Sequence, residues 1–304
     1  MRLAVFTKNR TNPAYAAARL GAERAAAAWG AAVQHYVPGT PDDAEEQSAL
    51  IDRALSLRPD AIVLSPVHPT RVDAAIRRVA AVGIPIVGFI NPIAAASTVT
   101  YVGADDVRLG RELGNYLFRY MQGQGRVLLV AGHEFSITSQ DRLRGFMEAA
   151  ADHPGIEIEG PIAGDYARAV ASRRAAEWTR LKGCPDGCLV ANDAMALGVL
   201  EALEEARCSC PVVGVNAIPE AIAAIAQGRM LATADFNAMQ MAFLATQCAI
   251  RHLRGEPVPR AIELPVRIVD RSNYEEWNRP YEQRPLFTID QIGTPQPCAF
   301  GQGT

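Results

Sequence analysis

The stretch Arg58-Pro59-Asp60-Ala61-Ile62-Val63-Leu64 is echoed further along the chain by Cys184-Pro185-Asp186-Gly187-Cys188-Leu189-Val190. Ile84-Pro85-Ile86-Val87-Gly88 is echoed in turn by Cys210-Pro211-Val212-Val213-Gly214. Pro59 and Pro85 stand 26 positions apart, as do Pro185 and Pro211, so both halves keep one register at an offset of 126. In each half a Pro-Asp turn feeds an apolar run of strand length, a helix-length stretch follows, and a Pro-led apolar strand returns. Two similar lobes in one chain leave a cleft between them, and such clefts are favoured sites for small ligands.

Outward from this core, residues 3–6 read as a strand. Asn12-Pro13 opens an Ala-rich helix that runs to Trp29 and stops at Gly30. Strands at 33–37, 61–64, 84–90 and 99–102, with helices at 43–57 and 72–82, complete the first lobe. The second lobe has strands at 126–131, 156–158, 188–191 and 212–215. Its helices fall at 139–151, 170–181, 195–206 and 220–227, with Asp141, Arg142 and Arg144 placed on the polar face of the first. A strand from Leu231, a helix at 239–253 and one strand at 262–268 follow. Neither lobe needs all of this segment, so it is expected to return to the first lobe and then cross again. Strands alternating with helices imply an α/β fold of parallel sheets covered on both faces, joined by right-handed crossovers. Beyond Asp270 the pattern fades, and 285–304 reads as an irregular tail.

The 304 residues suffice for two domains of ordinary size, and 49% hydrophobic with 21% charged residues is usual for a globular protein. A net charge of -3 gives no basic footprint, so nucleic acid is not an expected partner. No apolar run is long enough to span a bilayer. Only Leu3-Ala4-Val5-Phe6 separates Arg2 from Thr7-Lys8-Asn9, which is too short for a secretory signal core. The chain is therefore either cytoplasmic or a mature form whose leader was removed.

Four of the six cysteines, Cys184, Cys188, Cys208 and Cys210, flank the starts of two strands in the second lobe. Free thiols and a disulfide between the pairs are both open readings. A zinc site is the third, although C-x3-C with C-x-C fits the usual spacing poorly.

Ligands of open α/β sheets sit beyond the carboxyl ends of the strands. Those positions hold Thr7, Lys8, Asn12, Tyr15, Ser65, His68, Asn91 and Asp105 in the first lobe. In the second they hold His133, Glu134, Thr138, Gln140, Asp165, Tyr166, Asn192, Asp193 and Asn216. Amides and hydroxyls both donate and accept, which suits a ligand rich in hydroxyls. Plainer roles compete. Asn12 reads equally as an N-cap, and Asp193 reads as the cap of its helix ahead of Asn192. Tyr15 reads as lobe packing or as a lid on a ligand ring. His68 and His133 read as solvated loop residues, and Glu134 and Lys8 as part of a solvated face. No G-x-G-x-x-G, G-x-x-x-x-G-K-[ST], H-E-x-x-H or G-x-S-x-G is present, so no enzymatic activity and no cofactor is expected.

The chain resembles the type I periplasmic sugar-binding proteins, the ribose-binding-protein-like solute-binding components of ABC transporters. The resemblance spans about 3–268. It rests on Asn12-Pro13-Ala14-Tyr15, Ile84-Pro85-Ile86-Val87, Gly103-Ala104-Asp105-Asp106 and Arg142-Leu143-Arg144-Gly145-Phe146. Asn192-Asp193-Ala194-Met195-Ala196-Leu197-Gly198, Val212-Val213-Gly214-Val215-Asn216 and Leu231-Ala232-Thr233 complete it. The lactose-repressor family shares this core, but no helix-turn-helix precedes Leu3.

This resemblance implies two Rossmann-like lobes joined by a three-strand hinge, with crossings near Ala104, Phe236 and Leu264. The lobes would comprise 1–104 plus 237–264 and 105–236 plus 265–284. It implies a periplasmic monomer that closes on a small polar ligand, sugar-like or polyol-like, and delivers it to an ABC permease in the inner membrane. A sensing receptor of the same fold, feeding a two-component or chemotaxis system, is the alternative. The implied ligand-binding positions are Asn12, Tyr15, Asn91, Gln140, Tyr166, Asn192, Asn216 and Phe236, to which the strand-end reading adds His68 and His133. The sequence departs from the family's pattern at four of them. Ile90-Asn91 stands for an Asp-Arg pair, Asn216 for an Asp, Gln140 for an Arg and Phe236 for a Gln. The expectation is a more neutral pocket than usual.

Overall fold

The computed structural model describes residues 1–292 and builds them from two parallel-sheet lobes that exchange chain at their shared edge. The first lobe opens with β1 (Arg2–Phe6), α1 (Pro13–Trp29), β2 (Ala32–Tyr36), α2 (Ala44–Ser56), β3 (Ala61–Leu64), α3 (Asp73–Ala81), β4 (Ile86–Phe89) and β5 (Tyr101–Gly103). The second follows with α4 (Asp106–Tyr120), β6 (Gln124–Ala131), α5 (Ile137–Ala151), β7 (Gly155–Ala163), α6 (Arg168–Lys182), β8 (Gly187–Val190), α7 (Asp193–Glu205), β9 (Val212–Val215), α8 (Pro219–Ala226) and β10 (Ala232–Asp235). The chain then runs through α9 (Ala238–Leu253), β11 (Ala261–Glu263), β12 (Arg267–Asp270) and α10 (Ile289–Ile292). One sheet has the order β11-β5-β4-β3-β1-β2, the other β12-β10-β9-β8-β6-β7.

The repeat seen in the sequence is a repeat of hydrogen bonds. Asp60 Oδ2 accepts from Arg2 N at 2.6 Å, and Asp186 Oδ2 accepts from Arg126 N at 2.7 Å. The carbonyls of Pro85 and Pro211 accept from Ile62 N and Cys188 N, each at 2.9 Å. The Pro-Asp turn thus starts the central strand of each sheet, and the Pro-led strand pairs beside it. Strands buried on both faces read as unbroken apolar runs, which is why β3, β4, β8 and β9 are wholly buried.

Three departures from the sequence reading have physical causes. The helix α4 was not anticipated, although Asp105 caps it through Arg108 N and Leu109, Leu113 and Leu117 form its buried stripe. The single strand expected at 262–268 is two short strands in different sheets. β11 pairs parallel with β5, and β12 pairs antiparallel with β10, with Pro265 in the break between them. The tail expected to be irregular from 285 is docked as far as 292. Gln240 on α9 exchanges two hydrogen bonds with the backbone of Phe287 at 2.6 and 2.8 Å, and Gln247 accepts from Ile289 N at 3.0 Å. Buried side-chain amides hold this segment, so it needs no periodicity of its own. Residues 293–304 of that tail lie outside the described residues.

The chain passes between the sheets after β5, after β10 and between β11 and β12. On the first-lobe side α1 packs against α9 so closely that a Cβ on Gly21 would collide with the Met239 carbonyl. On the other side α4 crosses α5 through Gly110 and Gly145, each against the opposite backbone. These closely packed helix pairs flank the crossings between the lobes.

Candidate ligand-binding cleft

A cavity of about 460 Å³ lies beyond the carboxyl ends of the strands and draws its wall from both lobes. Asn12, Tyr15, His133, Tyr166, Asn192, Asn216 and Phe236 all line it. Each is placed by a strand end. Asn12 precedes α1 and accepts from Ala14 N at 3.0 Å, so it caps the helix while lining the cleft. Asn216 follows β9 with φ of 122°, a backbone state that asparagine tolerates better than most residues. Tyr166 also has positive φ, and its ring lies against Gly132, where any Cβ would collide with it. Its hydroxyl shares hydrogen bonds of 3.2 Å with Ser136 Oγ and Thr138 Oγ1. His133 stands edge-on to that ring at 6.1 Å, and its Nδ1 is 3.9 Å from Asp165.

Three expected positions lie elsewhere. Asn91 is buried behind the wall, accepting from Ser65 Oγ at 3.4 Å, because the residue before it turns the chain through a left-handed conformation. Gln140 points outward from α5 and donates to the Glu134 carbonyl at 2.7 Å. His68 accepts from Thr70 N and Arg71 N, both at 3.1 Å, and lines an adjoining outer hollow of about 390 Å³ that shares Lys8, Asp42, His133 and Tyr166 with the cleft. There its ring approaches Phe135 of the other lobe at 5.6 Å, so the lobes touch at this rim.

The expectation that Lys8 and Arg142 lie on solvated faces is corrected, because both are buried at the cleft. Lys8 is 3% exposed and pairs with Asp42 at 3.4 Å. Burial alone would lower its pKa, but Tyr15 and Asp42 outweigh burial and hold it above the usual lysine value. Burial pushes the Tyr15 hydroxyl up to about 12. Arg142 is 4% exposed, donates to Asp106 at 2.7 Å and to the Ala191 carbonyl at 2.8 Å, and lies 5.3 Å from the centre of the Phe236 ring. A signal for Arg142 was present. It falls on the stripe Thr138, Gly145, Phe146, Ala149, which is the buried face of α5. Each cation has its own carboxylate, so the wall is charged but balanced.

Asn192, and not Asp193, caps α7, its Oδ1 accepting from Met195 N at 2.9 Å. Asp193 instead turns into the lobe and binds Thr233 Oγ1 and Ile218 N. Capping uses only the oxygen of Asn192. Its Nδ2 is buried with no hydrogen-bond partner among the described residues, on a side chain that is 1% exposed and lines the cleft. A second cavity of about 470 Å³ lies by the hinge, between Trp277, Tyr281 and Phe287, and of the expected residues it includes only Asn216. Seven of the ten expected residues line the cleft.

Cys184 and Cys208 form a disulfide, while Cys188 and Cys210 are free with sulfurs 3.8 Å apart. No cluster of three or more His, Cys, Asp or Glu side chains that could hold a metal occurs among the described residues, and no helix there is long and apolar enough to cross a membrane.

Residues 3–257 match the model of the periplasmic binding protein domain. The chain belongs to this family. It is 28% identical over 243 residues to the D-ribose/D-allose-binding protein of Pseudomonas aeruginosa, covering 75% of each chain. Identity to the ribose import binding protein of Bacillus subtilis is 24%, over 88% of this chain and 85% of that one. The xylitol-binding protein of Mycolicibacterium smegmatis is 24% identical over 71% of this chain, which spans 63% of that protein's length. Among solved structures, an ABC transporter periplasmic solute binding protein from Actinobacillus succinogenes with bound D-allose superposes with a TM-score of 0.85 at 23% identity, over 90% of this chain and 99% of that one. One from Mycobacterium smegmatis with bound glycerol gives 0.84 at 26%, over 90% and 96%. The fold class expected from the strand–helix alternation is the fold of this family.

Proposed function

We propose that this protein is the solute-binding component of an ABC importer. In this reading it captures a sugar or polyol in the interlobe cleft and delivers it to an inner-membrane permease from the periplasm. The observation that carries the reading is the buried, unpartnered Nδ2 of Asn192. An orphaned buried donor is costly, and a ligand oxygen in the cleft removes that cost. The balanced charges support an uncharged ligand, since neither Lys8 nor Arg142 lacks a counter-ion. Tyr15 and Tyr166 supply an aromatic wall from each lobe, and relatives are named for ribose, allose and xylitol. Because both lobes contribute, ligand contacts favour the closed form over the open one, and the ligand can shift that balance only by this preference.

Titration calorimetry with D-ribose, D-allose, xylitol, myo-inositol and glycerol tests the reading. Micromolar binding, about -8 kcal/mol, by at least one of them is expected. Absence of heat from all five, with no polyol or sugar found by mass spectrometry in the purified protein, overturns it.

A further inference from the structure

Ile90 lines the cleft with φ of 61°, a conformation that β-branched residues rarely adopt. The surrounding bonds over-determine it. Ile90 N donates to the Val102 carbonyl at 2.9 Å, Asn91 N to the Phe89 carbonyl at 2.7 Å, and the Tyr101 hydroxyl to the Ile90 carbonyl at 2.7 Å. Glycine, asparagine or aspartate would make this turn at lower cost. An isoleucine held against its preference, at a wall of a binding cleft, indicates that its side chain serves the site.

Its surroundings specify how. Ile90 packs in one apolar cluster with Ala14, Tyr15 and Phe236, all of which line the cleft. Ala194, Leu197 and Ile218 of the opposite lobe also line it. Asn91, the polar neighbour, faces Ser65 behind the wall, so Ile90 presents no donor or acceptor side chain where it meets the cavity. A ligand hydroxyl set against Ile90 would lose water and gain no partner there, whereas a C–H edge or a methyl would lose nothing polar.

We infer that the ligand presents a hydroxyl-free edge to Ile90, so that a deoxysugar or a methyl-bearing polyol meets this wall better than its fully hydroxylated parent. The inference rests on the cleft being a sugar or polyol site.

Calorimetry on matched pairs that differ by one hydroxyl tests it: L-fucose with L-galactose, L-rhamnose with L-mannose, D-quinovose with D-glucose, and 2-deoxy-D-ribose with D-ribose. In at least one pair the deoxy member is expected to bind tenfold tighter or more, which corresponds to about 1.4 kcal/mol. Ile90→Asp, which suits the left-handed turn and supplies an acceptor, is expected to reverse that preference. Equal or tighter binding of the parent sugar in every pair that binds overturns the inference and leaves the sugar-site reading standing. An unchanged preference in Ile90→Asp likewise overturns it. If none of the eight compounds nor the five tested above binds, both fall.

Discussion

Arg142 Nε donates to Asp106 Oδ1 at 2.7 Å while the same guanidinium lies over the Phe236 ring. Asp106 opens the helix after the first crossing between lobes, and Phe236 stands in the second. One side chain therefore ties two hinge segments to the wall of the cleft. Burial raises the Asp106 pKa even against the pull of Arg142, so this is a costly pair whose partners depend on each other. Removing one partner strands a buried charge, and Asp106→Ala is expected to lower stability by about 3–5 kcal/mol. Arg144→Ala, which breaks the exposed contact with Asp141, is expected to cost less than about 1 kcal/mol. Urea unfolding of both variants checks the contrast.

Asn192 does two jobs with two atoms, and substitution separates them. Serine keeps a cap acceptor for Met195 N but lacks an amide donor. Asn192→Ser is therefore expected to hold its stability within about 1 kcal/mol and lose ligand affinity by about tenfold or more. Asn192→Ala is expected to lose the affinity and about 1 kcal/mol of stability besides. Thermal shift without ligand reads the first effect and calorimetry the second.

The fold was legible because its signals are local and redundant: Pro-Asp turns, buried strands and helix stops recur in both halves. The site was legible only by position. The strand-end rule names which residues reach the cleft's edge, but not which way each points. At 90–91 a single left-handed residue exchanges the roles of neighbours, sending Ile90 into the cleft and Asn91 behind it. On α5 two positions turn about 200° around the axis, enough to put Gln140 outside and Arg142 inside. Lys8 looked like a surface lysine because its partner Asp42 is distant in sequence, and only the β1 and α2 ends bring them together. Cysteine spacing likewise named both pairs without saying which would bond.

The disulfide Cys184–Cys208 closes a loop of 24 residues and fastens the approach to β8 to the approach to β9. A loop of this size is worth about 3 kcal/mol of unfolded-state entropy. Cys184→Ser with Cys208→Ser is expected to show that loss in urea unfolding. Addition of a reductant to the unsubstituted protein should reproduce it, while the same reductant leaves the double variant unchanged.

Stability should fall as pH rises toward neutrality, and Asp193 is the main cause. Burial raises its pKa to about 7, although Thr233 Oγ1 at 2.7 Å and Ile218 N at 3.0 Å both favour the charged form. In the unfolded chain an aspartate titrates near about 3.9. Between these values the folded state holds a proton that the unfolded state has released, so the contribution is complete below about pH 4 and is lost as pH climbs through 7. Three units correspond to about 4 kcal/mol as an upper figure. Asp106 and Asp235, also raised by burial, act with the same sign. His35 and His68, lowered by burial, act oppositely, their contribution being complete above the ordinary histidine value and lost as pH falls below it. Urea midpoints measured from pH 5 to pH 8 are expected to decline, and Asp193→Asn, which cannot ionise, should flatten the decline. A variant that keeps the full slope would assign it to Asp106 and Asp235 instead.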